Sequence, residues 1–181
     1  MRECVREEKG LIHLYHGEGK GKTTAVIGLA IRAAGAGRKV AFVQFMKGND
    51  SSERNILESI ERVTVLRSHK DFGFYKQMSE QDKAELREIH DNLLKQVITG
   101  ASTGKFDVVI MDEVTYAYEW NLLNRQQLEE WMEKKPDGLE IAMTGRNPAP
   151  FMLEKADYIS NIMCQRHPYE KGIAARKGIE F

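Results

Sequence analysis

The sequence predicts an α/β fold, a mostly parallel sheet of about six strands with helices on both faces, arranged around a phosphate-binding loop. Three observations carry this. Short unbroken apolar runs alternate with helix-length segments, and strands covered on both faces of a parallel sheet read as continuous apolar runs. The first run, Leu11-Ile12-His13-Leu14-Tyr15, leads directly into Gly17-Glu18-Gly19-Lys20-Gly21-Lys22-Thr23-Thr24 and then a helix-forming stretch. A later run, Val108-Val109-Ile110-Met111, ends in the paired acids Asp112-Glu113.

In the glycine-rich turn, consecutive backbone N–H groups can surround phosphate oxygens at a helix N-terminus. Glycines at 17, 19 and 21 permit positive φ and a close backbone approach to anions. Lys22 supplies a mobile positive charge, and the Thr23 hydroxyl is placed to join the coordination sphere of Mg²⁺. The common spacing G-x-x-x-x-G-K-[ST] puts His16 where the first glycine is usual, so either the loop is one residue tighter or that glycine is dispensable. The small, apolar stretch from Ala25 to Ala34 reads as a helix beside the sheet, ended by Gly35 and Gly37.

Val40-Ala41-Phe42-Val43-Gln44-Phe45 reads as the second strand, turning polar at Met46-Lys47-Gly48-Asn49-Asp50. Ligands of open α/β sheets bind beyond the carboxyl ends of the strands, so Lys47 and the Gly48 turn are expected on the side of the phosphate loop. Lys47 is then either an anion or substrate contact or a solvated surface lysine. A short helix over Glu53–Ile60 and a third strand over Val63–Leu66 follow. Ser68-His69-Lys70-Asp71-Phe72-Gly73-Phe74-Tyr75-Lys76 crowds three aromatics into a loop, as a lid or platform for a flat ligand or as pins holding the loop down.

Ser79 with Asp82 has the spacing of a helix cap, and Leu86, Ile89, Leu93, Leu94, Val97 and Ile98 mark a long helix running to Gly100. His90 falls outside that stripe and is given no role. The strand ending at Asp112-Glu113 reads as Walker-B-like, hydrophobic because it is central and acidic at its tip: Asp112 or Glu113 is expected to contact Mg²⁺ directly or through water, or to orient a nucleophile, or else simply to cap the strand end. The aromatics of Val114–Asn121, Trp120 among them, lie at the active edge as pocket lining or as core. Asn124 caps a helix through Leu128 and Trp131 that stops near Pro136. Leu139–Thr144 is a further strand, and Arg146 in the polar loop after it is a candidate fork for phosphate or carboxylate. A short helix over Phe151–Ala156 and a last strand over Tyr158–Met163 precede a tail, basic in its middle, that either folds over the site or trails in solvent.

Composition narrows the partners. The chain has 181 residues, expected to form one domain over 1–181, with 41% hydrophobic and 30% charged residues. Lys plus Arg and Asp plus Glu both number 27, so no basic excess draws a nucleic acid backbone. No apolar run approaches a membrane span and the opening nine residues are too charged for a signal peptide, so a cytoplasmic protein without membrane partners is expected. Cys4 and Cys164 lack zinc or redox spacing and read as free thiols.

The strings GEGKGKTTA, VQFMKG, MDEVTYAYEW, MTGRN and HPYEKGIAARKGIEF, taken in this order, resemble the P-loop class of ATP:corrinoid adenosyltransferases, the enzymes that build adenosylcobalamin. The likeness runs from Gly10 to Phe181, with TGRN and ARKGIEF its most diagnostic parts. The resemblance implies a RecA-like domain that usually dimerises, with ATP reversed so that C5′ of the adenosine faces the corrinoid. It implies that Gly17, Glu18, Gly19, Lys20, Gly21, Lys22, Thr23 and Thr24 hold the triphosphate, with Thr23 and Glu113 at Mg²⁺; the reading of the residues themselves adds Arg146 as a candidate ATP contact and Asp112 as a candidate metal ligand. It implies that the aromatics near Phe72 and Phe74 take the place of those that help remove the lower ligand of cobalt, and Lys47, Tyr75 and Trp120 are expected as further corrinoid contacts. That loop lacks the tryptophan usual in the family, and the leader before Gly10 is too short to cover a neighbouring subunit's site.

The chemistry so implied is attack by cobalt(I) on C5′ of ATP with loss of triphosphate. Lys22, Thr23 and Glu113 carry the charge of the leaving group and its metal. The strong cobalt nucleophile requires no activating Ser, Cys or His, and none is encoded. With no flavin or iron–sulfur signature in the chain, an external electron donor such as a reduced flavoprotein is expected. A P-loop small-molecule kinase and a RecA-like ATPase on nucleic acid remain as alternatives, the second disfavoured by the zero net charge.

Overall fold

The computed structural model describes residues 9–47 and 51–180. The charged leader with Cys4, the turn at Gly48-Asn49-Asp50 and Phe181 lie outside the described residues. Six strands, β1 (Ile12–His16), β2 (Val40–Gln44), β3 (Val63–Arg67), β4 (Val108–Asp112), β5 (Glu140–Gly145) and β6 (Tyr158–Asn161), form one sheet in the order β3-β2-β4-β5-β1-β6. Every pairing is parallel. Six helices join them: α1 (Lys22–Gly35), α2 (Glu53–Ser59), α3 (Glu80–Ser102), α4 (Val114–Glu119), α5 (Arg125–Glu133) and α6 (Pro150–Lys155).

The central strands β2 and β4 are buried along their whole length, which is why their sequences are continuous apolar runs. Their alternate side chains feed two cores. Val43, Phe45, Val109, Met111, Ile141 and Met143 pack with Leu94 and Val97 of α3, Leu128 and Trp131 of α5 and Met152 of α6 on one face. Phe42, Ile110 and Ala142 pack with Val26 and Ala30 of α1 and Leu57 of α2 on the other. The small residues of α1 let it lie close to the strands, and the helix stops at Gly35, with Gly37 at φ 87° in the turn after it. At the far edge β6 is exposed throughout, consistent with its mixed sequence.

The expected caps form. Ser79 Oγ accepts the Asp82 N–H while the Asp82 carboxylate accepts the Ser79 N–H, and Asn124 Oδ1 accepts the N–H of Gln127. His90 departs from expectation: it is 1% exposed, on the buried stripe of α3 with Leu86, Leu93 and Leu94, whereas Ile89 is only half-buried. The stripe steps four residues from Leu86 to His90, so the periodicity ran through the histidine and not beside it. Its Nδ1–H donates to the Leu122 carbonyl at 2.8 Å, which leaves Nε2 to accept the backbone N–H of Met46 at 3.5 Å. Val114–Glu119 is a six-residue helix, a feature its aromatics obscured in the sequence, and the last strand stops at Asn161 and not at Met163.

Two outcomes follow from this packing. A Cβ on Gly100 would stand 2.2 Å from the Phe106 ring, so Gly100→Ala should lower unfolding free energy by about 1–3 kcal/mol in urea titrations with unchanged slope. Burial holds the His90 imidazole down to about 4, against about 6.5 in the unfolded chain. The unfolded state therefore takes up the proton first as pH falls: the contribution is complete above about pH 6.5 and lost by about pH 4, some ~3 kcal/mol in all. Unfolding free energies from urea titrations at pH 7 and 4.5 should therefore differ less for His90→Gln than for the parent, by roughly that amount.

Candidate active site

The phosphate loop occupies residues 17–21, between the last residue of β1 and the first of α1. His16 belongs to the strand, so the loop is one residue tighter than the common spacing, and Gly17, at φ 109°, makes the turn that the missing glycine would have made. Gly21, at φ 122°, precedes the helix without any side-chain cap, which leaves the first-turn N–H groups of α1 facing the loop. The small size of Gly17 and Gly19 has a tertiary cause. A Cβ at either would fall within 2.4–2.6 Å of Asn161 Oδ1 or the Met163 carbonyl, where the chain leaves β6, and Gly19 N–H donates to the Ile162 carbonyl at 2.7 Å. Lys22 Nζ lies inside the loop, donating to the carbonyls of Gly17 at 2.7 Å and Gly19 at 2.8 Å. Burial, followed by the nearby Arg146, lowers its pKa from the usual lysine value. Thr24 is exposed on the first turn.

The acid-tipped strand lies two places from β1, with β5 between them. That gap of about 10 Å is closed from both sides. Thr23 Oγ1, at the start of α1, donates to Asp112 Oδ1 at 2.9 Å, and Thr144 Oγ1, near the end of β5, donates to the same oxygen at 2.7 Å. The Thr144 hydroxyl in turn accepts the backbone N–H of Glu113 at 2.8 Å. Glu113 is held at φ 62°, a conformation uncommon for a side chain of its size, and marks the corner into α4. Burial, then the Asp112 charge, raises the Glu113 carboxyl to about 7, and it feels Lys47, Lys22 and Arg146 from the other side. A serine or threonine hydroxyl with a strand-end carboxylate is a hard oxygen donor pair that suits Mg²⁺. No group of three or more His, Cys, Asp or Glu side chains that could hold a metal forms among the described residues.

Lys47 lies just after Met46, which adopts φ 58°, and is turned inward and not to solvent. Its ammonium reaches Asp112 Oδ2 at 2.9 Å and Glu53 Oε1 at 3.0 Å. It also lines a cleft with Met46, Phe72, Gly73, Met78 and His90, so the phosphate end and the aromatic loop adjoin at this residue. Tyr75 stacks on Trp120 at 4.3 Å between centroids, and Trp120 leans on Tyr116. Phe72 is half-buried with Lys70 above its ring, whereas Phe74 is 79% exposed. The loop is therefore both pinned and presented, by different residues.

Glu18, a carboxylate within a phosphate loop, meets the Arg146 guanidinium at 2.9 Å. Both side chains are half or more exposed, so the pair is weak and open to exchange. Lys20 reaches Glu180 at 3.3 Å, which brings the tail back to the loop, and Arg176 pulls the Glu180 carboxyl down to about 2 through a charged hydrogen bond. Thr144, Glu53 and His90 are the site residues that sequence reasoning missed. Thr144 had a signal, a hydroxyl one residue before the strand-ending glycine, but Glu53 and His90 were marked only by three-dimensional proximity.

The family described as ATP:corrinoid adenosyltransferase BtuR/CobO/CobP matches residues 8–181. A corrinoid adenosyltransferase of Escherichia coli K12 is 34% identical over 180 residues, covering 98% of this chain and 88% of the relative. The corrinoid adenosyltransferase of Salmonella typhimurium LT2 is 31% identical with the same coverage, and that of Pseudomonas aeruginosa is 30% identical over 98% of this chain and 86% of its own. Among solved structures, a KaiC-like protein of Pyrococcus horikoshii superposes with a TM-score of 0.57 at 16% identity, covering 92% of this chain and 75% of that one, a likeness of RecA-type fold alone. With near full-length matches to both the family and its relatives, laid over an intact phosphate loop and acid-tipped strand, this chain belongs to the ATP:corrinoid adenosyltransferase family.

Proposed function

We propose that this chain transfers the 5′-deoxyadenosyl group of ATP to the cobalt of a corrinoid and releases inorganic triphosphate. The observation that carries the reading is the adjacency of two unlike surfaces beyond the same strand ends. One is a phosphate loop followed by Thr23, which is hydrogen-bonded to Asp112; the other is the aromatic loop, whose Phe72 and Gly73 line a small cleft together with Lys47. In the reaction the electron pair of cobalt(I) forms the bond to C5′, the C5′–O bond breaks, and its pair leaves with the triphosphate. The protein holds the two centres in line and stabilises the charge gathering on the leaving group.

In this reading the N–H groups of residues 17–21 and the Lys22 ammonium hold the triphosphate, with Lys20 and Arg146 drawn from Glu180 and Glu18 to its outer oxygens. Mg²⁺, bound by Thr23 and Asp112 with Glu113 beside them, supplies further positive charge to the triphosphate. ATP lies reversed, its sugar toward the aromatic loop. Phe74, exposed at the loop tip, meets the corrinoid and assists loss of its lower ligand, while Tyr75, Trp120 and Phe72 form the wall behind it. Electrons for cobalt come from outside, from a reduced flavoprotein or its equivalent. No helix among the described residues is long and apolar enough to cross a membrane, and we place the enzyme in the cytoplasm as a homodimer.

Three measurements test this. Lys22→Ala should lower turnover at saturating ATP by roughly 100-fold or more, because it removes a charge that matters most as the leaving group departs. Phe74→Ala should raise the KM for the corrinoid several-fold while the KM for ATP moves by less than about twofold. With chemically reduced cobalamin, ATP and Mg²⁺, the products should be adenosylcobalamin and triphosphate in equal amounts; release of ADP in their place would favour a kinase.

A further inference from the structure

The cation already present among the site's oxygens is a lysine. Lys47 Nζ stands 2.9 Å from Asp112 Oδ2, 3.0 Å from Glu53 Oε1 and 3.5 Å from Thr23 Oγ1. Thr23 Oγ1 and Asp112 Oδ1 are 2.9 Å apart, close to the ~3.0 Å edge between neighbouring ligands of an octahedral Mg²⁺ at about 2.1 Å. The ammonium thus leans on the two groups whose spacing suits the metal. Asp112 is fully buried and Lys47 only 21% exposed, so little water screens the contact.

We propose that Lys47 is a resident cation: in the nucleotide-free protein its ammonium neutralises Asp112 and keeps divalent metal out, and it yields that position when metal arrives with the triphosphate. The inference rests on the reading of Thr23 and Asp112 as the metal's ligands. Three features make the exchange workable. A buried Asp112 carboxylate with no cation would be strongly disfavoured, so something positive must be beside it before metal binds. Glu53 gives the ammonium a second partner to keep when Asp112 is taken, and Gln44, buried beneath, fixes Glu53 by donating to the same oxygen at 3.2 Å. The lysine stem is long and flexible, and a displaced ammonium remains beside the incoming triphosphate, where its charge is again matched. The backbone supports the aim: Met46, at φ 58°, turns Lys47 back under the strand ends, and its N–H is held by His90.

The consequence is that metal and nucleotide bind together and that free metal binds poorly. Mn²⁺, followed by electron paramagnetic resonance, serves as the probe. Without ATP the parent protein should hold Mn²⁺ weakly; Lys47→Met, and in the same way Lys47→Gln, should hold it at least about tenfold more tightly, whereas Lys47→Arg should stay weak because the charge is retained. Adding Asp112→Asn to Lys47→Met should abolish the gain. With ATP present, Asp112→Asn alone should weaken Mn²⁺ binding. Circular dichroism and urea melts establish that each variant is folded, and whichever neutral variant folds carries the comparison. Equal Mn²⁺ affinity of the parent and the neutral variants without ATP, or a gain that survives Asp112→Asn, overturns the resident-cation proposal while leaving the metal assignment standing. Loss of any Asp112 effect in the presence of ATP overturns the metal assignment and the proposal with it.

Discussion

One buried carboxylate holds the active edge together. Asp112 accepts the hydroxyls of Thr23 from α1 and Thr144 from β5 and the ammonium of Lys47 from the turn after β2. Three segments distant in sequence meet at one side chain that is fully buried. An unpaired charge in that position would be costly, so the folded state is compelled to bring hydrogen-bond donors and a cation to it. That one demand draws α1, β5 and the segment after β2 to the same oxygens.

The sheet order explains why this convergence is possible. With β5 between the strand of the phosphate loop and the strand of the acids, the loop and Asp112 stand far enough apart for a cation and phosphate oxygens, yet close enough for a threonine on each side to reach across. The positive-φ residues Met46 and Glu113 follow the ends of the neighbouring strands β2 and β4, and beside them Lys47 and Asp112 meet at 2.9 Å. Local strain of this sort persists only where the surrounding packing over-determines it, which here is the fully buried pair β2 and β4.

The closing tail is part of the loop's architecture. Because the chain leaving β6 runs within contact distance of Gly17 and Gly19, these glycines answer to a neighbour as well as to an anion. Glu18 and Lys20, the two loop residues that point outward, are matched by Arg146 and Glu180. Such exposed pairs add little stability and are easily exchanged for phosphate. They keep the loop's charges occupied without locking them.

The sequence by itself determined the fold class and the parallel strands, and it marked the glycine loop and the acid-tipped strand. Continuous apolar runs, glycine punctuation and an acid pair at a strand tip are local signals, and the six strands they mark formed close to where they were expected, the last of them shorter by two residues. It did not determine who faces whom. That His90 lies inside the α3 stripe, that Glu18 meets Arg146, that Lys47 turns from solvent onto Asp112 and Glu53, and that Thr144 bridges two strands were decided by the tertiary structure. The physical reason is that periodicity reports which side of an element is buried, whereas the pairing of charges depends on distances between elements far apart in sequence. Those distances exist only once the sheet is ordered.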